Sequence, residues 1–235
     1  MITVIVPAYN EEKLIGACLD SLVTQRPLPD EILIVNNAST DGTAAIVESF
    51  ISQHPDVNMR LIHESKKGCH QARETGWRVA QGDVIVHVDA DETFPDGWMA
   101  TIERELRAQP DVGAMGGVIK FANPPFAVWV TQVLYNLLYP RIVRLTKGFP
   151  YLCGGMTICK REVLEAMNGY KDKPDDQLDD YYLSSQAYQR GYKLRYVPAI
   201  YAVHSLRRYE AGGLRGWLQW GVAAMDTSLY EEDVH

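Results

Sequence analysis

The chain has 235 residues, 46% of them hydrophobic and 23% charged, with a formal net charge of −7. That length supports one large core or two small ones, and the composition excludes disordered and fibrous classes. The acidic balance, with no long basic stripe, argues against a nucleic-acid partner. Cys18, Cys69, Cys153 and Cys159 show no Cys-x-x-Cys spacing and read as reduced thiols of a cytoplasmic protein. Met1 leads directly into an apolar strand, so no signal peptide is expected.

Ile2–Val6 is β-branched and apolar, a strand that Pro7 is expected to stop. Asn10 is then expected to cap a helix with Glu11 and Glu12 in its first turn. Its apolar stripe, Leu14, Ile15, Cys18, Leu19, Leu22 and Val23, has helical spacing, and Pro27 and Pro29 break it. A buried strand over Glu31–Val35 leads into the polar turn 36–42. A helix over Thr43–Gln53, a strand over Asn58–His63 and a helix over Gln71–Ala80 follow. This alternation with short connections predicts a right-handed, parallel α/β sheet. No Gly-x-Gly-x-x-Gly follows a strand and no Gly-x-x-x-x-Gly-Lys-Ser/Thr occurs, which disfavours a dinucleotide fold and removes the P-loop enzymes.

The segment Asp83–Glu92 organises the rest. After Gly82, the residues Val84, Ile85, Val86 and Val88 read as a strand buried on both faces. It ends in Asp89 and Asp91, and ligands of doubly wound sheets bind beyond the carboxyl ends of the strands. Two acids there make a hard oxygen site suited to Mg²⁺ or Mn²⁺ carrying phosphates; a solvated surface turn is the other reading.

The second half is less regular. A helix is expected near Asp96–Ala108 and a strand near Val112–Ile119. Another strand is expected over Tyr151–Cys159, where adjacent glycines signal either close approach of a ligand or tight strand packing. A helix over Asp179–Gln189 ends at Gly191, a strand pair spans Lys193–Val203 and stops at His204, and 206–235 reads as an amphipathic helix and tail. Between them, Phe126–Leu145 is apolar and aromatic, but Thr131, Gln132, Asn136, Arg141 and Arg144 interrupt it and Pro140 is expected to divide it. It is too polar to cross a bilayer, leaving a core or homodimer-contact helix or an interfacial helix resting on lipid.

The stretches Val4-Ile-Val-Pro-Ala-Tyr-Asn-Glu11, Ile34-Val-Asn-Asn-Ala-Ser-Thr-Asp-Gly-Thr43, Ala72-Arg73, Val88-Asp-Ala-Asp91, Asp179-Asp180 and Gly191-Tyr192 occur in this order. Together they resemble the family 2 glycosyltransferases over roughly Ile2–His204. The resemblance implies a GT-A-type α/β fold, with a mostly parallel, Rossmann-like sheet flanked by helices and a less regular acceptor half. It divides a single domain, 1–205, into a nucleotide half, 1–92, and an acceptor half, 93–205. It also implies inverting transfer from a nucleoside diphosphate sugar, using Mn²⁺ or Mg²⁺, to a glycan, lipid-phosphate or small-molecule acceptor. The setting would be cytoplasmic, with peripheral contact at the inner face of the membrane as an option through 126–145.

Carried onto this sequence, the resemblance puts Pro7, Tyr9, Glu11 and Asn37 around the nucleotide. Tyr9 would stack on the base, and Asn37 stands where the family commonly has Asp. Arg73 would meet the diphosphate, Asp89 the ribose and metal, Asp91 the metal directly, and His204 would complete the metal's ligands. Asp180 would be the general base toward the acceptor hydroxyl. For Asp180 an N-cap role competes, for Arg73 a solvated helix position, and for Asn37 an Asx turn. Two rival classes remain: a sugar nucleotidyltransferase, which would want a Gly-rich basic loop after the first strand, and an inactive nucleotide-sugar-binding module.

Overall fold

A computed structural model describes residues 1–152, 155–174 and 177–207. Four strands open the chain: β1 (Ile2–Ala8), β2 (Glu31–Asn37), β3 (Met59–Glu64) and β4 (Val84–His87). The helices α1 (Ile15–Val23), α2 (Thr43–Gln53) and α3 (Cys69–Val79) alternate with them. β3, β2, β1 and β4 lie side by side and parallel, as the alternation predicts. Successive residues point to opposite faces, so Val4, Val6, Ile32 and Ile34 pack beneath α1 and α2. Ile5, Leu33 and Val35 meet α3 on the other face.

The remainder adds β5 (Glu92–Thr93), α4 (Trp98–Ala108), β6 (Val112–Phe121), α5 (Phe126–Lys147), β7 (Thr157–Lys160), α6 (Arg161–Ala166), α7 (Asp179–Gln189) and β8 (Lys193–His204). One eight-stranded sheet results, in the order β3-β2-β1-β4-β7-β6-β8-β5. β7 enters antiparallel between β4 and β6, β5 is antiparallel to β8, and the other pairings are parallel.

Several boundaries differ from expectation, each for a local reason. β1 runs through Pro7 because its ladder with β4 ends at Ile5, so the missing Pro7 N–H faces no partner strand. Asn10 does not cap α1: it sits at φ 53° and its side chain accepts from the Thr40 N–H at 2.8 Å, tying two loops together. Pro140 lies inside α5 without dividing it: it removes only the N–H that would reach the Asn136 carbonyl, and the Arg141 guanidinium donates to the neighbouring Leu137 carbonyl. The Lys193–Val203 pair is one strand, because Pro198 falls where the pairing with β6 slips between Tyr196 and Tyr201. The strand expected at Tyr151 begins only at Thr157. Asp175, Asp176, Arg208 and the helix and tail expected over 206–235, beyond Arg207, lie outside the described residues.

A buried acid ties the sheet's far end together. The Glu31 carboxylate, fully buried, accepts from Thr3 Oγ1 at 2.7 Å, Arg60 Nη2 at 2.6 Å and the Gln81 N–H at 2.8 Å. Burial alone would raise its pKa, but these hydrogen bonds outweigh it and hold the carboxyl below its usual value near 4.5. A depressed carboxyl stabilises the fold above its unfolded pKa and loses that contribution as pH falls through the folded one. Glu31→Gln should therefore cost ~1.5–3 kcal/mol at neutral pH, with the difference closing below about pH 4. Urea unfolding of both proteins at the two pH values checks this, and a pH-independent difference would count against it.

Candidate active site

The site is built where β4 stops. Val88 still donates to the Ile5 carbonyl at 3.1 Å, and the chain then turns sharply, presenting Asp89 and Asp91 beyond the parallel strand ends. The two residues of β5 pair Glu92 with His204 and Thr93 with Val203, so a strand from the far end of the sequence delivers its imidazole to the same spot. Ligand atoms of Asp89, Asp91 and His204 lie within 4.8 Å of one another. Two carboxylates and an imidazole form a donor set that fits Mn²⁺ or Mg²⁺. Gly155, at φ 66°, presses its backbone on this cluster. A Cβ there would stand 2.6 Å from Asp89 Oδ2 and 2.9 Å from Glu92 Oε1. One of the two glycines expected in a strand thus lies in a loop against the acids, so the protein's own side chains, rather than close strand packing, crowd it here.

Glu92 was not foreseen. It is fully buried, its Oε2 accepts the Asp89 N–H at 2.9 Å, and its Oε1 contacts His204 Nε2. It therefore fixes the backbone of one acid and the ring of the histidine at once. Burial by itself would lower the His204 pKa, but the adjoining Glu92 carboxylate, with Asp91 and Asp89, raises it above the usual 6.5. Its adjacency to Asp89-x-Asp91 was legible; its burial was not.

Arg73 joins the two halves of the site. Its guanidinium, 7% exposed, gives Nη2 to Asp89 Oδ1 at 3.0 Å and Nη1 to Asp179 Oδ2 at 2.8 Å, with Asp180 Oδ1 3.7 Å away. Lys173, also buried, stands 3.6 Å from the other Asp179 oxygen. Asp179 is thus engaged by two cations, whereas Asp180, in the same first turn of α7, is more exposed at 18%. A solvated helix arginine is ruled out by this burial. Removing the buried guanidinium leaves three partly buried carboxylates without their shared cation, so Arg73→Met should destabilise by ~3–5 kcal/mol in urea unfolding. A loss below ~1 kcal/mol, the range of an exposed pair, would refute that reading of the pairing.

The first loop closes the other side. Glu11 is buried, its N–H donates to Thr43 Oγ1 at 2.8 Å, and Arg207 Nη1 reaches both its oxygens at 2.7 and 2.8 Å. Burial raises the Glu11 carboxyl above its usual range despite that guanidinium. Arg207 Nε also lies 3.4 Å from Asp91 Oδ2, which accepts Ser205 Oγ at 2.8 Å. Tyr9, past the Pro7 end of β1, receives a hydrogen bond from Lys67 Nζ at 2.9 Å, and that ammonium stands 4.9 Å from the ring centroid. Asn37 holds the loop before α3: its Oδ1 accepts the Gly68 N–H at 2.8 Å and its Nδ2 donates to the Lys66 carbonyl at 2.7 Å. Asn37 thus makes no Asx turn with its own following residues; it is Asn36 whose Oδ1 bonds forward, accepting the Ser39 N–H at 3.2 Å.

Comparison with known proteins accords with this geometry. The sequence profile of the family described as Glycosyl transferase family 2 matches residues 3–167. Glycosyltransferase GlyA of Streptococcus pneumoniae serotype 4 is 28% identical over 238 residues, covering 96% of this chain and 33% of GlyA. Mannosyltransferase PcManGT from Pyrobaculum calidifontis, solved with GDP-Man and Mn²⁺, superposes with a TM-score of 0.73. It is 30% identical, over 95% of this chain and 60% of PcManGT. The fold is shared with S. aureus TarS 1–349 bound to UDP-GlcNAc, at a TM-score of 0.65 and 19% identity over 87% of this chain and 58% of TarS. The chain spans about a third of GlyA and under two thirds of PcManGT or TarS. With the profile matching well over half its residues and the sheet of a GT-A protein, the chain belongs to glycosyl transferase family 2.

Proposed function

We propose that this domain transfers a sugar, with inversion at the anomeric carbon, from a nucleoside diphosphate sugar to an acceptor hydroxyl or phosphate, using Mn²⁺ or Mg²⁺. One observation carries the reading: Asp89, Asp91 and His204 present convergent donor atoms, and Asp180 lies across the Arg73 guanidinium from Asp89. A divalent ion at the three donors would neutralise the diphosphate as it leaves. PcManGT, solved with GDP-Man and Mn²⁺, supports a donor of this class without fixing its base or sugar.

Each side chain then has a task. Tyr9 and Asn37, at the ends of β1 and β2, border the space for the base, and the Asn37 amide orders the loop that would cover it. Arg73 aligns Asp89 with α7 and keeps positive charge beside the phosphates. Arg207, now on Glu11 and Asp91, is within reach of the same phosphates. Asp180 accepts the acceptor's proton as that oxygen attacks the anomeric carbon and the bond to the diphosphate breaks. Residues 1–92 form the nucleotide half and 93–205 the acceptor half. The unpaired thiols of Cys18, Cys69 and Cys159 suit a reducing compartment, and we assign the cytoplasm.

Thermal unfolding with a panel of UDP-, GDP- and dTDP-sugars, with Mn²⁺ and with chelator, tests the donor. One nucleotide should raise Tm only when the metal is present, and nucleoside diphosphate should be released with an acceptor. No metal-dependent shift and no release across the panel would overturn the proposal.

A further inference from the structure

We propose that the outward face of α5 is a docking surface for a bilayer carrying anionic headgroups. Among the described residues, eight of the eleven large apolar side chains that are exposed lie on this helix. Trp129, Val133 and Leu137 make one stripe at four-residue spacing, and Leu134, Leu138 and Ile142 make a second beside it. Leu145, in the last turn, is 85% exposed. The inner face is partly polar instead. Gln132 Oε1 accepts the Phe121 N–H at 2.9 Å, and Asn136 Nδ2 donates to the Ile119 carbonyl at 2.9 Å. A surface helix in water ordinarily turns its apolar stripe inward. This one bonds to the β6 backbone through amides, buries Val128 and Val143, and still leaves a broad apolar face outside, far more than scattered surface leucines require.

Charge selects the occupant. The chain carries −7 overall, yet Phe126–Lys147 contains Arg141, Arg144 and Lys147 and no acidic residue. Arg141 and Arg144, with Arg195 of β8, line a groove of about 660 Å³ whose other walls include Val118, Leu137 and Leu194. Guanidinium groups lining a largely apolar groove suit a phosphate headgroup with its acyl chain. A second copy packed α5 on α5 would meet no carboxylate and so offers no such complement. No described helix is long and apolar enough to cross a bilayer, so α5 would lie in the interface. Through Gln132 the helix is anchored to Phe121, the register partner of His204, so docking would bring the acid cleft to headgroup level. The surface stands on its own observations whether or not the cleft transfers sugar.

Vesicle flotation of the full chain tests this. It should float with phosphatidylcholine vesicles containing phosphatidylglycerol, and ~10-fold less or weaker with phosphatidylcholine alone or at high salt. Leu134→Ser/Leu138→Ser and, separately, Arg141→Glu/Arg144→Glu should each lower partition ~10-fold, with circular dichroism unchanged. Quenching of tryptophan emission by brominated lipid should fall in Trp129→Phe, which separates α5 from any contact made through Trp217 or Trp220. Absence of flotation at low salt, or partition and quenching untouched by these changes, would overturn the proposal. So would a dimer, seen by light scattering, that Leu138→Ser dissolves.

Discussion

Asp180→Asn should lower sugar transfer by ~10²–10⁴-fold while leaving nucleotide affinity within a factor of ~3. The amide keeps the size of the carboxylate but cannot take a proton from the acceptor. Its neighbours should hold the site together, because Arg73 retains Asp89 at 3.0 Å and Asp179 at 2.8 Å. The contrast with the preceding residue makes the test sharp. Asp179 is clamped by Arg73 and Lys173, so Asp179→Asn should show its main loss in stability rather than in turnover. Steady-state release of nucleoside diphosphate, with calorimetric titration of the nucleotide, separates the two. Turnover of Asp180→Asn within ~10-fold of wild type would remove this residue from the base role.

Asp91→Ala should abolish the metal-linked part of nucleotide binding. Even partners beyond the direct ligands typically cost ~10–100-fold in metal affinity, so losing one of three donors should exceed ~10²-fold. Titration of nucleotide with Mn²⁺ and with chelator should differ in the wild type and coincide in the variant. Asp91→Asn controls for the contacts to Ser205 Oγ at 2.8 Å and Arg207 Nε at 3.4 Å, which the alanine also deletes. If wild-type affinity is the same with and without Mn²⁺, the assignment of Asp89, Asp91 and His204 as a metal site fails.

The parallel half of the sheet was legible because both faces of its strands are buried. Val4–Val6, Ile32–Val35 and Ile85–Val86 are nearly continuous apolar runs, and such a run has few other homes. The acids at the end of β4 were legible for the same reason, since a buried run that stops in Asp89 and Asp91 must deliver them to one edge of the sheet. Less could be read from Phe126–Lys147. A side chain's type does not say which way a helix faces, and here Gln132 and Asn136 face β6 beside buried Val128 and Val143 while eight large apolar residues stay exposed. Nor could Asn10 be read correctly, because its bond to Thr40 lies across thirty positions of sequence.

From its order of residues alone, this chain determined the alternation of strand and helix and the end of the sheet at which Asp89 and Asp91 stand. Those depend on local periodicity and on burial of short runs, which neighbouring residues decide among themselves. Folding in three dimensions decided who meets whom: β7 entering antiparallel beside β4, β5 drawing His204 to Glu92, and Arg73 reaching Asp179 from 106 positions away. The strand pairings rest on backbone hydrogen bonds and apolar burial between segments distant in sequence, and the Arg73–Asp179 and His204–Glu92 pairs become strong only once the surrounding sheet excludes solvent.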